Sequence, residues 1–112
     1  MEAKKMKTPK SEITIKSDSF TLRCEKGEYS MPFGDVVVIR AEKADIFSYD
    51  LICVIFESAE GEFIEVTEEA SGFSDFMEQV LTRFSGSDEH WWEKVVFPAF
   101  APCPTVIWEK EK

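Results

Sequence analysis

The sequence predicts a single α+β domain: an antiparallel sheet of four to six strands, with two helices of the C-terminal half packed on one face. Up to residue 67, polar and apolar residues mostly alternate, as they do in half-buried strands. From Phe73 onwards the apolar residues recur at helical spacing instead. The length of 112 residues suits one domain with its own core, which we expect to span residues 11–109.

The first elements are predicted to form a hairpin. Residues 12–16 and 20–24 each alternate between polar and apolar side chains, and Ser17, Asp18 and Ser19 supply turn residues between them. Residues 29–34, which include Pro32, are expected to form a loop or an irregular edge.

The next three segments predict an antiparallel meander. Residues 35–43 are rich in β-branched side chains, and residues 51–57 are apolar on both faces, which is typical of a central strand. In residues 62–67, Ile64 and Val66 share one face, while Phe63 and Glu65 share the other.

Helical periodicity begins after the meander. One apolar stripe is predicted, with Gly86 just past its end; it consists of Phe73, Phe76, Met77, Val80, Leu81 and Phe84. A second helix is expected to begin near residue 87 and to stop before Pro98. We expect Trp92 to point inward because it aligns with Val95 and Val96, which leaves Trp91 at a boundary. Residues 105–109 are predicted to form a last strand.

Charge is distributed unevenly along the chain. The net charge is −9, and residues 1–10 carry four lysines against one glutamate, so this basic lead-in is expected to be disordered. Residues 44–82 contain ten acidic residues and no lysine or arginine. Phosphate repulsion opposes nucleic acid as a ligand, and anionic membrane surfaces are disfavoured for the same reason.

Cysteine usage and hydropathy favour a cytoplasmic protein. Cys24, Cys53 and Cys103 are an odd number at wide spacing, unlike a secreted disulfide framework. No apolar run follows the basic start, as it would in a signal peptide. The longest apolar run, residues 51–56, is too short to cross a bilayer.

No catalytic or metal-binding pattern is recognised, so we expect a non-enzyme without a cofactor. No cysteine pair has zinc-ligand spacing, and no calcium-binding or phosphate-binding loop occurs. His90 could act as a general base only beside a nucleophile such as Cys103, and the sequence does not establish that pairing. Cys53, within the most apolar segment, is expected to behave as a small hydrophobic residue.

Acidic residues and aromatic residues together indicate a protein-binding surface. An aromatic centre with a charged rim concentrates binding energy and steers the encounter, although a merely solvated acidic face remains the alternative. The candidate partner-binding residues are Asp45, Phe47, Tyr49, Asp50, Glu60, Glu62, Glu65, Glu68, Glu69 and Trp91. Homodimerisation through an exposed sheet edge is compatible with the hypothesis of a protein-binding surface.

Residues 35–108 resemble a class of small, poorly characterised bacterial proteins. The segments that carry the resemblance are IRAEKAD (39–45), DLICVIF (50–56), EEASGF (68–73) and WEKVVFPAF (92–100). Some small acidic bacterial domains of this kind are similar to toxin-neutralising immunity proteins, which implies an acidic module that binds a basic partner. Two alternatives stay open: a small-ligand or lipid-binding domain similar to pleckstrin-homology-like domains, and a small enzyme using Cys103 and His90.

Overall fold

Seven strands and two helices make up the computed structural model, which describes residues 11–46, 49–96 and 104–110 except for the side chains of residues 45, 46, 49 and 50. The α+β class is confirmed, and both helices lie in the C-terminal half. The seven strands divide into two antiparallel sheets, one of three strands and one of four. The predicted basic lead-in, residues 1–10, lies outside the described residues.

The small sheet contains the predicted hairpin and one further strand. It consists of β1 (Glu12–Ile15), β2 (Ser19–Cys24) and β3 (Gly27–Pro32), in that order. Residues 29–34 were expected to form a loop or an irregular edge; residues 29–32 do lie at a sheet edge, but they belong to a regular strand and the loop is wrong for them. β3 is an edge strand and Pro32 is its last residue, a position where the missing N–H costs no ladder hydrogen bond.

The large sheet confirms the predicted meander and the predicted last strand. It consists of β4 (Val36–Ile46), β5 (Tyr49–Ser58), β6 (Phe63–Thr67) and β7 (Thr105–Glu109). The spatial order is β6-β5-β4-β7, so β5 is central and β6 and β7 are the two edges. A single 3-10 turn, Phe33–Asp35, joins the small sheet to β4.

The predicted apolar stripe becomes α1 (Phe73–Arg83), which buries Phe73, Phe76, Met77 and Val80. Gly72 precedes the helix with a φ of 85°, where a Cβ would be strained and would lie 3.5 Å from the carbonyl oxygen of Ile13. Within the described part of the chain, neither helix is long and apolar enough to span a membrane.

The short second helix, α2 (Trp91–Val96), reverses the predicted orientation of the two tryptophans. Trp91 is 5% exposed and Trp92 is 42% exposed. Trp91 and the fully buried Val95 are four residues apart, so they share the face that packs on β4 and β7. The inward prediction for Trp92 was wrong because Val95, and not Val96, defines the buried face.

Aromatic side chains join the two sheets and α1 into one core. The ring centroid of Phe20 in β2 lies 4.8 Å from that of Phe56 in β5 and 5.3 Å from that of Phe76 in α1. Phe56 and Phe76 are 5.5 Å apart, which closes a triangle. The face of the large sheet that carries Phe56 is therefore its inner face, and the opposite one is its outer face.

Candidate functional site

The outer face of the large sheet mixes apolar and charged side chains. Register places Arg40, Ile55 and Glu65 in one row across β4, β5 and β6. The next row contains Glu42, Cys53 and Thr67. Cys53 and Ile55 are buried beneath their longer neighbours and help to line a cavity of about 280 Å³. These two apolar side chains are therefore buried on the outer face of the sheet, as expected for a central strand.

Electrostatics on the outer face are dominated by carboxylates. Arg40 Nη1 lies 2.6 Å from Glu57 Oε1, in a partly exposed ion pair. The pKa of Cys53 is raised to about 12. Burial of the thiol is the largest cause, and a hydrogen bond to Glu65 and the charges of nearby glutamates add to it. This thiol therefore stays protonated at neutral pH, which opposes a nucleophilic role because the thiolate is the reactive form.

Two clefts lie along β6, between the large sheet and the small sheet, and we call them together the edge groove. The first, about 380 Å³, is lined by Tyr29, Ser30, Met31, Gly61, Glu62, Phe63 and Ile64. The second, about 310 Å³ and mostly apolar, is lined by Ser11, Leu22, Cys24, Glu25, Lys26, Leu51, Glu65, Thr67 and Glu69. Residues of β6 line both clefts.

The backbone N–H and carbonyl groups of successive β6 residues point alternately towards β5 and away from it. Ser58 N–H donates to the Glu62 carbonyl at 2.8 Å, and Glu68 N–H donates to the Ile52 carbonyl at 3.0 Å. The register between these bonds is unbroken, so the even-numbered residues exchange hydrogen bonds with β5. The N–H groups of Phe63, Glu65 and Thr67 consequently point away from β5, and no described residue bonds them.

Two exposed aromatic residues flank the edge groove. Phe63 is 64% exposed on the outer face, and Tyr29 is 47% exposed on β3. Neither was among the predicted partner-binding residues. The alternation of residues 62–67 already placed Phe63 opposite the core-facing Ile64 and Val66, so the sequence did contain a signal for it. Tyr29 was not identified, because its segment was expected to form a loop or an irregular edge with no buried face.

The acidic candidates separate into different environments. Glu62, Glu65 and Glu69 line the edge groove, and Glu60 lies in the turn that leads into β6. Among the described residues, Glu60, Glu62 and Glu65 form no salt bridge. Glu68 has a structural contact, because its Oε2 accepts a hydrogen bond from Ile52 N–H at 3.0 Å.

Of the remaining candidates, only Trp91 has a described side chain. Trp91, predicted to lie at a boundary, is buried in the core, because the helix face that it shares with Val95 packs on the large sheet. Asp45, Tyr49 and Asp50 are described only by their backbone, which pairs β4 with β5. Phe47 lies outside the described residues.

Of the candidate catalytic pair, the structure describes only His90. His90 is exposed, and its Nδ1 lies 3.2 Å from Glu93 Oε1. Cys103, its predicted counterpart, lies outside the described residues. Within residues 11–46, 49–96 and 104–110, no three histidine, cysteine, aspartate or glutamate side chains are placed to bind a metal ion.

No family model matches the chain, and no curated protein or solved structure is significantly similar to it.

Proposed function

We propose that the protein is a non-catalytic binding module that recognises a basic protein partner, in the manner of an immunity protein that neutralises a toxin. One observation carries the proposal. The exposed Phe63 and Tyr29 flank a groove whose acidic neighbours Glu60, Glu62 and Glu65 have no cationic partner among the described residues. Large exposed aromatic residues beside uncompensated charge are typical of interfaces.

The charge of this surface selects the partner's chemistry. The lining of the edge groove contains one cationic residue, Lys26, against the carboxylates of Glu25, Glu62, Glu65 and Glu69. Its field therefore attracts a cationic surface and repels an anionic one. Such matching mainly accelerates association and makes it sensitive to salt. Cys24 and Cys53 are free thiols, which suits a module that acts in the cytoplasm.

The alternative functions receive less support from the same residues. The edge groove opens to solvent along a strand, whereas small-ligand sites enclose most of the surface of the molecule that they bind. The raised pKa of Cys53 argues against that thiol as a nucleophile at neutral pH, and the thiol of the predicted enzyme, Cys103, lies outside the described residues. A surface that binds another protein uses the exposed aromatic residues, which the other two functions leave unexplained.

Quantitative affinity capture from a lysate of the protein's own source cells tests the proposal. The bait is the wild-type protein, and the comparison bait carries Glu60→Gln, Glu62→Gln and Phe63→Ser. We expect a basic protein to be retained by the wild type at low ionic strength and to be depleted at least about tenfold on the variant. Its retention should also fall as salt is raised.

The matched control removes two charges from a different part of the acidic stretch. Asp75 and Glu78 lie on the exposed side of α1, so Asp75→Asn with Glu78→Gln makes the net charge less negative by two without changing the edge groove. This control should retain the partner as the wild type does. Equal loss on both baits would mean that only bulk charge matters, and retention of no basic protein by the wild type would contradict the proposal.

A further inference from the structure

The open edge of β6 has the geometry of a template for another strand. The outward N–H groups of Phe63, Glu65 and Thr67, with the outward carbonyls of Phe63 and Glu65, form a row that no described residue bonds. The Thr67 carbonyl accepts a hydrogen bond from Ala70 N–H at 3.0 Å, so the row ends there. Unpaired edges of this kind bind extended peptides by main-chain hydrogen bonds.

We infer that the edge groove binds an extended segment of a basic partner, which adds to the large sheet as a strand antiparallel to β6. This inference rests on the proposed function and specifies its binding mode. The added strand would exchange two hydrogen bonds with Glu65, because the N–H and the carbonyl of that residue both point outward.

Side-chain register then specifies the sequence of the added segment. The residue opposite Glu65 projects on the outer face beside the carboxylate, so lysine or arginine fits there. Two residues later, the segment lies opposite Phe63, where an arginine can stack on the exposed ring. The residues between them face the groove wall formed by Leu22, Tyr29 and Met31, which favours aliphatic side chains. The preferred segment therefore alternates basic and aliphatic residues.

Charge makes a second copy of this chain a poorer occupant. In antiparallel self-pairing centred on Glu65, the two Glu65 carboxylates would lie directly opposite each other, and like charges in that position are destabilising. The acidic turn residues Glu60 and Glu62 would add to the repulsion. The same carboxylates stabilise a basic strand, so charge complementarity distinguishes the two occupants.

The test uses a heptapeptide that alternates valine with lysine or arginine, and amide hydrogen exchange followed by NMR on the wild-type protein. In the free protein, the amides of Ile64 and Val66 should be protected by β5, while those of Phe63, Glu65 and Thr67 exchange rapidly. Saturating peptide should slow exchange at Phe63 and Glu65 by about tenfold or more, because each gains a hydrogen bond. A peptide with glutamate at the basic positions should leave exchange unchanged.

N-methylated peptides provide a control that does not alter the fold. A methyl on the peptide nitrogen that faces Glu65 should weaken binding by about tenfold, whereas a methyl on the next nitrogen, which points away, should have little effect. Equal effects of both methyl groups would overturn strand addition.

Variants at the two edges of the large sheet provide matched controls. Thr67→Pro removes an outward N–H from β6, and Glu109→Pro makes the corresponding change on β7. Glu65→Gln and Glu109→Gln remove one outer-face charge from each edge. Only the β6 variants should weaken binding of the peptide.

Failure of the binding mode can be separated from failure of the proposed function. If the peptide binds in a salt-sensitive manner but leaves Phe63 and Glu65 exchange unchanged, the acidic surface binds basic partners without strand addition, and the inference is wrong. If the peptide does not bind while a basic protein is captured, strand addition is likewise overturned. Concentration-dependent protection of Phe63 and Glu65 without any peptide would identify a second copy as the occupant.

Discussion

The two edges of the large sheet are treated differently by the fold. At the β7 edge, Asp88 N–H donates to the Ile107 carbonyl at 2.8 Å, and Trp108 Nε1 donates to the Ser85 carbonyl at 3.1 Å. The Trp108 ring also packs 4.6 Å from the ring of Phe84. At the β6 edge, by contrast, Phe63 is exposed and the outward amides have no described partner. One edge is closed by the connection that follows α1, and at the other the outward backbone groups of Phe63 and Glu65 bond to no residue in the described ranges.

The difference shows where aromatic residues stabilise the fold and where they do not. Trp108 and Phe63 each project from an edge strand, but Trp108 contacts the core cluster and Phe63 faces solvent. Truncation of Trp108 should therefore lower the free energy of unfolding, and truncation of Phe63 should weaken binding of a partner. Four substitutions measure this contrast.

Trp108→Ala should have the largest effect on stability. It removes the contact with Phe84 and the hydrogen bond to Ser85 from the closed edge. Because Trp108 is only partly buried, we expect a loss of about 2–3 kcal/mol, somewhat below the cost of deleting a fully buried aromatic side chain. Urea unfolding followed by far-UV circular dichroism measures it. A loss no larger than that of Phe63→Ala would erase the proposed contrast between the edges.

Ser58→Ala should destabilise the turn that leads into β6. Ser58 is buried, and its Oγ accepts hydrogen bonds from the N–H groups of Glu60 and Glu62, both at 3.3 Å. Removal of this acceptor leaves the two amides to weaker partners, and we expect a cost of about 1–2 kcal/mol. Ser30→Ala, at an exposed serine of β3, is the matched control and should cost much less. Equal losses in urea unfolding would show that the Ser58 hydroxyl does not fix the open edge.

Asp88→Asn should weaken the closed edge in a pH-dependent manner. The pKa of Asp88 lies below its ordinary value of 3.8. The main cause is the hydrogen bond that Lys94 donates to the carboxylate, and the hydrogen bond from His90 N–H is the second cause. The charged form is therefore favoured in the folded state, so its contribution to stability is present above 3.8 and disappears as the pH falls through the lowered pKa. At neutral pH we expect a loss of about 1 kcal/mol, similar to that of other side chains that cap backbone N–H groups.

Thermal unfolding of Asp88→Asn and the wild type over a series of acidic pH values checks this sign. The difference in unfolding temperature should be greatest near neutral pH and should shrink as the pH falls below 3.8. A difference that grows towards low pH would contradict the assignment of Asp88 as a stabilising carboxylate.

Phe63→Ala should have the smallest effect on stability, within about 0.5 kcal/mol, because the side chain is largely exposed. The same substitution should weaken binding of the alternating basic peptide. Urea unfolding and NMR titration on one sample measure both quantities. A large loss of stability would mean that Phe63 supports the outer face of the sheet rather than a partner.

Local sequence patterns predicted most of the individual elements. The alternation of residues 62–67 and the apolar stripe of α1 are local signals, and both were confirmed. β3 was missed because only Met31 of its six residues is buried, so its alternation is weak. The two tryptophans were exchanged because a helix of six residues gives too short a pattern to define its buried face.

The division into two sheets and the edge groove depend on contacts between distant segments. Tyr29 and Phe63 line one cleft because β3 and β6 are edge strands of different sheets and lie next to each other. The residue pattern within either strand does not predict that the two strands are neighbours. The acids of residues 44–82 were identified from the sequence, but the structure separates Glu65, on the outer face, from Glu68, which holds a backbone amide.

The aromatic triangle of Phe20, Phe56 and Phe76 has a consequence for how the chain folds. Its three rings come from β2, β5 and α1, so no short segment can form the triangle alone. Non-local contacts of this kind slow folding, because the loops between them must close before any contact is gained. Both sheets should therefore form in a single kinetic step, in which the small sheet has no independent intermediate.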